Sequence, residues 1–156
     1  MKITKEQRKE LNALLHKLVR LRDGEHCLRC PKTARLQLSH IYPKGKKRGM
    51  EFEPDNVKLL CVGCHLYWWH KNPMEAMEWL KTVIPTARLD RLKLMSQTTN
   101  KIDFNLQKIF IEKEIERLTE REDTVHPRLS SPGSDPPEHG RNAPYPNKCR
   151  RVKSAG

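Results

Sequence analysis

No stretch of this 156-residue sequence stays apolar for anything near the thickness of a bilayer, so a membrane-spanning helix is not expected. The opening residues, Met1 to Glu10, are charged throughout and hold no apolar core of the kind a secretory signal needs. The expected setting is therefore a reducing cytoplasm. Acidic residues are scarce too: 19 Asp and Glu stand against 31 Lys and Arg, giving a formal charge of +12 and a pI near 9.7. That balance makes polyanions, and nucleic acid first among them, the expected partner. A basic but otherwise passive surface is the plain alternative. The length allows one domain with a modest core and some extra segments, a size at which a metal staple helps.

The cysteines are few but patterned. Four of the five fall into Cys27-Leu-Arg-Cys30 and Cys61-Val-Gly-Cys64. In a reducing compartment two such pairs read as metal ligands, because each makes a tight knuckle that aims two thiolates at a common point, and four thiolates close a tetrahedral Zn2+ site. His26 is an alternative ligand, although four sulfurs already fill the shell. Cys149 is left over. Knuckles of this kind also occur in ribbons that only stabilise a DNA-binding or protein-binding module.

The coarse pattern is α+β: a small zinc-bound ββα core with flanking helices. Thr4-Lys-Glu-Gln7 has the form of a capping box, and Leu11, Leu14, Leu15, Leu18 and Val19 follow at helical spacing, which predicts a helix over about residues 5 to 21. Lys9, Lys17, Arg20 and Arg22 stand off that stripe, free to touch phosphate or simply solvated. Arg35 to Ile41 alternates as a strand does, and Val57 to Leu60 make a second short strand. Between them lies the basic loop Lys44, Lys46, Lys47 and Arg48, and a helix is expected from Val62. Asn72-Pro73 opens a covering helix that Pro85 stops; Thr86 caps a shorter one, and a longer one runs from about Asp103 to Arg121 with Leu106, Ile109, Phe110, Ile115 and Leu118 on one side. Three units result: residues 1–84 as the core domain, 85–124 as a helical extension, and 125–156 as a basic, Pro-rich tail too poor in apolar groups to fold. The long helix is expected to pack on the domain, with a homodimer through it as the alternative.

Three polar residues lie between or against the knuckles, where a metal would fix their relative positions: His40, Asn56 and His65. Phosphodiester hydrolysis needs a water made nucleophilic, and an imidazole near neutrality is suited to take its proton. It also needs a divalent cation against the phosphate, for which a second histidine is a fitting ligand. Asn56, by accepting a ring N–H of His40, would select the tautomer whose free nitrogen faces the water. Alone, His40 reads equally well as a satisfied core histidine; it is the coincidence of the three that suggests hydrolysis.

The order Cys-x-x-Cys, Ser39-His40-Ile41, Asp55-Asn56, Leu-Cys-x-x-Cys-His65 resembles the HNH endonuclease family with its ββα-metal fold, in particular phage-type members with four zinc cysteines. The resemblance covers roughly residues 21 to 80. It implies a metal-dependent DNA endonuclease, acting in phage DNA processing or recombination within the bacterial host cytoplasm. In it His40 is the general base, Asn56 holds the loop and helps orient that base, and His65 binds the catalytic Mg2+ or Mn2+, separate from the structural Zn2+. DNA contact falls to Lys44, Lys46, Lys47 and Arg48. Ser39 departs from the family pattern, which often places a metal-ligating acid or histidine there; its hydroxyl, or a carboxylate among Glu51, Glu53 and Asp55, is the substitute considered. His70 lies five residues beyond His65, off the four-residue spacing of an α-helical face, and reads as a surface or packing residue. Tyr67, Trp68 and Trp69 read as packing, with Trp68 the one placed to reach a sugar. A noncatalytic zinc-dependent DNA-binding module and a zinc-stapled protein adaptor are the competing functions.

Overall fold

The computed structural model describes residues 3–44, 48–97 and 101–125. Helix α1 spans Lys5–Asp23 and starts at a complete capping box: the Thr4 hydroxyl accepts from Gln7 N–H while the Gln7 side chain accepts from Thr4 N–H. Leu11, Leu15, Leu18 and Val19 form its buried stripe. The helix stops at Gly24, whose φ of +83° suits a residue without Cβ; a Cβ there would lie 2.9 Å from Nδ1 of His26.

Strands β1 (Leu36–His40) and β2 (Val57–Cys61) form an antiparallel hairpin in which Ser39 faces Lys58 and His40 faces Val57. β1 begins one residue later than the alternation suggests, because Arg35 adopts a left-handed φ of +52°. The connection contains two short 3-10 turns, Arg48–Met50 and Pro54–Asn56. β2 leads through one α-helical turn, α2 (Val62–Cys64), into a π-helical turn, His65–Trp69. Helices α3 (Pro73–Val83), α4 (Thr86–Ser96) and α5 (Phe104–Val125) follow. Pro73 takes the first position of α3 as expected, but the Asn72 side chain turns back to the Trp68 carbonyl instead of capping. Thr86 is the first residue of α4, not its cap, which is Pro85.

One core joins these pieces. The α1 stripe meets β2 (Val57, Leu59, Leu60), Phe52 from the connection, Leu80 of α3 and Ile111 of α5. Each fully buried leucine here contributes about 1.5–3 kcal/mol by leaving water. α5 packs along α1, in keeping with the expectation that the long helix covers the domain. Its inward face agrees only in part with the one the sequence suggests: Ile115 and Leu118 turn inward as expected. Ile111 and Ile115 are buried and Phe104 and Leu118 partly so, whereas Leu106, Ile109 and Phe110 face outward. The buried stripe Phe104, Ile111, Ile115 and Leu118 also has helical spacing, and packing on α1 selects it. Lys108 on α5 pairs with Glu10, and Gln107 donates to the Phe52 carbonyl. Among the described residues no helix is long and apolar enough to cross a membrane. Val125, expected to open the Pro-rich tail, is instead the last residue of α5, and the rest of the tail, with Cys149, lies outside the described residues.

Candidate functional site

Cys27, Cys30, Cys61 and Cys64 are buried together, with all four sulfurs within 4.8 Å of one another. The Cys30–Cys61 and Cys30–Cys64 sulfur separations are 3.7 and 3.8 Å. A disulfide would require about 2.05 Å. A Zn–S distance of about 2.3 Å gives a tetrahedron with edges of about 3.8 Å, so the cluster is already close to the size of a structural Zn2+ site. The knuckles are held by backbone bonds: Cys27 N–H to Lys32 O, Leu28 N–H to Leu59 O, and Cys64 N–H to the Cys61 sulfur. A hydrogen bond from the Cys64 thiol holds Cys27 down to about 4, against the opposing effect of burial, so a thiolate is favoured in the cluster. Arg29, inside the first knuckle, contributes what sequence reasoning missed. Its guanidinium donates to the Cys64 sulfur at 3.8 Å and lies 3.7 Å over the Trp68 ring, adding positive charge beside the thiolates.

His40 closes β1, half-buried, and its Nε2 lies 2.8 Å from the carbonyl oxygen of Glu51. A carbonyl only accepts, so Nε2 carries the proton and Nδ1 keeps the lone pair. Burial is the main cause that pulls the His40 pKa below its usual value, with Lys44 and Lys58 adding to it and the Glu51 carbonyl opposing. The lowered pKa favours the neutral ring at pH 7.

Asn56 does not orient His40 through its ring. Its carboxamide is fully buried; Oδ1 accepts from Tyr42 N–H, and Nδ2 donates to Tyr42 O and Met50 O. Both ends of the amide are used on backbone groups, and Asn56 thereby fastens the start and the far side of the basic loop to β2. The orienting acceptor is Glu51, held by the same loop.

His65 opens the π-helical turn, with Nδ1 donating to Oε1 of Gln37 on β1 at 2.9 Å, which leaves the lone pair on Nε2. Burial first, then the charges of His70, Lys58, His40 and Lys44, lower its pKa to about 4. His40 and His65 are both tied to the same hairpin, His40 as the last residue of β1 and His65 through Gln37 of β1. The turn also brings His70 against His65: the His70 N–H bonds to the His65 carbonyl, and the ring centroids are 4.7 Å apart. The hydrogen bond of this helix type joins residues five apart, which brings His70 next to His65. The α-helical spacing that set His70 apart from His65 does not apply.

The other residues considered for the site fall elsewhere. Ser39 is fully buried and faces Lys58 across the hairpin, away from solvent. Glu51 pairs with Arg8; Glu53 lies 3.5 Å and Asp55 3.0 Å from Arg91, and Asp55 also pairs with Arg88 and Arg22. Burial raises the Glu53 pKa. Arg22 points inward, donating to the carbonyls of Pro54 and Val57, so it braces β2 instead of facing phosphate. Arg88 adds bonds to Asp55 O and Val57 O. Arg20 is engaged with His16 and Glu25, while Lys9 and Lys17 are exposed. Trp68 is buried, stacked by Arg29, edge-on to Trp79 and hydrogen-bonded to Glu75, which removes it as a sugar contact.

Lys58 has no precedent in the sequence reasoning. It is fully buried in β2, its ammonium nitrogen has no hydrogen-bond partner, and it lies 3.3 Å over the Trp69 ring. Desolvation lowers its pKa well below the usual lysine value, with Arg88 adding to the effect. Of the loop cations, Lys44 is exposed, Arg48 opens the first 3-10 turn, and Lys46 and Lys47 lie outside the described residues. The chain matches no family model, no curated protein and no solved structure.

Proposed function

We propose that this protein is a metal-dependent endonuclease of the HNH kind that hydrolyses phosphodiester bonds in DNA. The observation that carries the reading is the paired fixing of two imidazoles around one hairpin. His40 is held through Nε2 by the Glu51 carbonyl and His65 through Nδ1 by Gln37, so each has the opposite nitrogen available for chemistry.

In this reading His40 Nδ1 takes the proton of the attacking water, and burial keeps the ring neutral so that it can. Its Nε2–H is directed at the Glu51 carbonyl, which steadies the imidazolium once formed. Asn56 acts at one remove, as a positioning residue that clamps the loop carrying Glu51. The four cysteines fit a structural Zn2+, through which they would lock β2 and the π-helical turn to the first knuckle. His65 Nε2 suits a divalent cation, which when bound supplies charge stabilisation for the phosphate and the departing 3′ oxygen. The +12 charge and exposed Lys44, Lys9 and Lys17 attract the phosphate backbone without reading sequence.

The test uses the full chain with supercoiled plasmid and Mg2+ or Mn2+. Nicking that requires the cation and stops with EDTA supports the reading. Retained DNA binding with no cleavage under either cation would replace it with a noncatalytic zinc-dependent DNA-binding module.

A further inference from the structure

We propose that His65 and His70 together form a two-imidazole site for a first-row divalent transition-metal cation on the outer side of the π-helical turn. The inference rests on the proposed role of His65 as a ligand and adds the second ligand and the class of metal.

The argument starts from backbone geometry. In an α-helix, positions five apart diverge around the axis. Between His65 and Trp69 the chain is π-helical, and the bond from His70 N–H to His65 O closes that wide turn. The two rings consequently sit over one another, centroids 4.7 Å apart and planes tilted by 39°. Two nitrogens held by one cation at about 2.1 Å each must lie within about 4.2 Å of each other, a separation comparable to the 4.7 Å between these ring centroids. Gln37 fixes the tautomer of His65, as a metal-binding histidine needs, by accepting its Nδ1–H. His70 is exposed and His65 half-buried, so a cation held there keeps coordination positions open to water or phosphate. π-helical turns inside helices are uncommon, and they occur often at functional sites.

The rival ligands are otherwise committed. Ser39 is sealed inside the hairpin, and Glu51, Glu53 and Asp55 are each engaged by arginine. With imidazole instead of carboxylate as donor, the site favours Ni2+, Co2+ or Zn2+ over Mg2+.

The test is calorimetric titration of Ni2+ into the zinc-loaded full chain, with zinc content measured before and after. Variants are His65→Ala, His70→Ala and, as a control on an unrelated histidine, His16→Ala. The expected result is one Ni2+ bound beyond the zinc, with affinity reduced at least tenfold in His65→Ala and His70→Ala and unchanged in His16→Ala. Equal Ni2+ affinity in the parent and His70→Ala overturns the proposal. If in that case plasmid nicking still depends on a cation, the nuclease reading survives without the pair. Conversely, Ni2+ binding that needs His70 in a protein that nicks nothing keeps the pair and discards the nuclease.

Discussion

Asn56 and Tyr42 exchange two hydrogen bonds, Tyr42 N–H to Oδ1 at 2.8 Å and Nδ2–H to Tyr42 O at 3.1 Å, so a fully buried carboxamide imitates one more rung of the hairpin ladder. With its further bond to Met50 O it closes the loop on which Glu51 stands. Asn56→Ala leaves three backbone groups without that partner, and a loss of about 3 kcal/mol is expected. Urea unfolding of the zinc-loaded protein checks this. A change under about 1 kcal/mol would mean that the loop is held by other contacts.

Ser39→Ala provides a sharp contrast. The hydroxyl is buried without a hydrogen-bond partner opposite Lys58, so its removal is expected to cost no stability, or to add about 1 kcal/mol, and to leave nicking within twofold. A tenfold or larger loss of nicking in a folded variant would restore Ser39 to the site.

Lys58 is a charge held out of water. Its folded pKa is depressed, so below about 10.5 the unfolded chain binds more protons than the folded one, and stability rises with pH from the folded pKa up to the unfolded value. Lys58→Met is expected to remove that slope and to gain about 1–3 kcal/mol at pH 7. Denaturation of both proteins across the alkaline range measures it. A less stable variant would show that the contact with Trp69 outweighs the burial of the ammonium.

His40 has a folded pKa below its ordinary value of 6.5. The unfolded state therefore binds more protons as pH falls through 6.5, and native stability falls with it; no such loss arises from this group above 6.5. The same shift predicts that nicking stays constant as pH drops to 6.5 and declines only below it. A pH–rate profile of single-turnover nicking, corrected for zinc content, reads this directly, and an inflection above 6.5 would contradict it.

Much of the fold is legible in the sequence because its signals are local. The capping box at Thr4, the two knuckles and Pro73 each act within a few residues, and each stands where the pattern puts it. What escapes is set by contacts at long range. α5 carries apolar residues on more than one side, and only the presence of α1 decides that Ile111 joins Ile115 inward while Leu106, Ile109 and Phe110 turn out. Arg22 and Arg29 look like surface cations until the Pro54 carbonyl and the Cys64 sulfur are brought to them. Lys58 sits in a strand whose other members are apolar, and its ring partner is supplied by the π-helical turn. That turn is the least legible feature of all. Hydrophobic periodicity distinguishes helix from strand, but it does not distinguish four residues between neighbours from five.

The proposed chemistry depends on one ring nitrogen. Incubating supercoiled plasmid with Mn2+ and either the parent protein or His40→Ala, at equal zinc content, equal circular dichroism and saturating protein, isolates that nitrogen from folding and binding. The account predicts cation-dependent nicking by the parent and a loss of at least a hundredfold in the variant. Equal rates for the two proteins would contradict it.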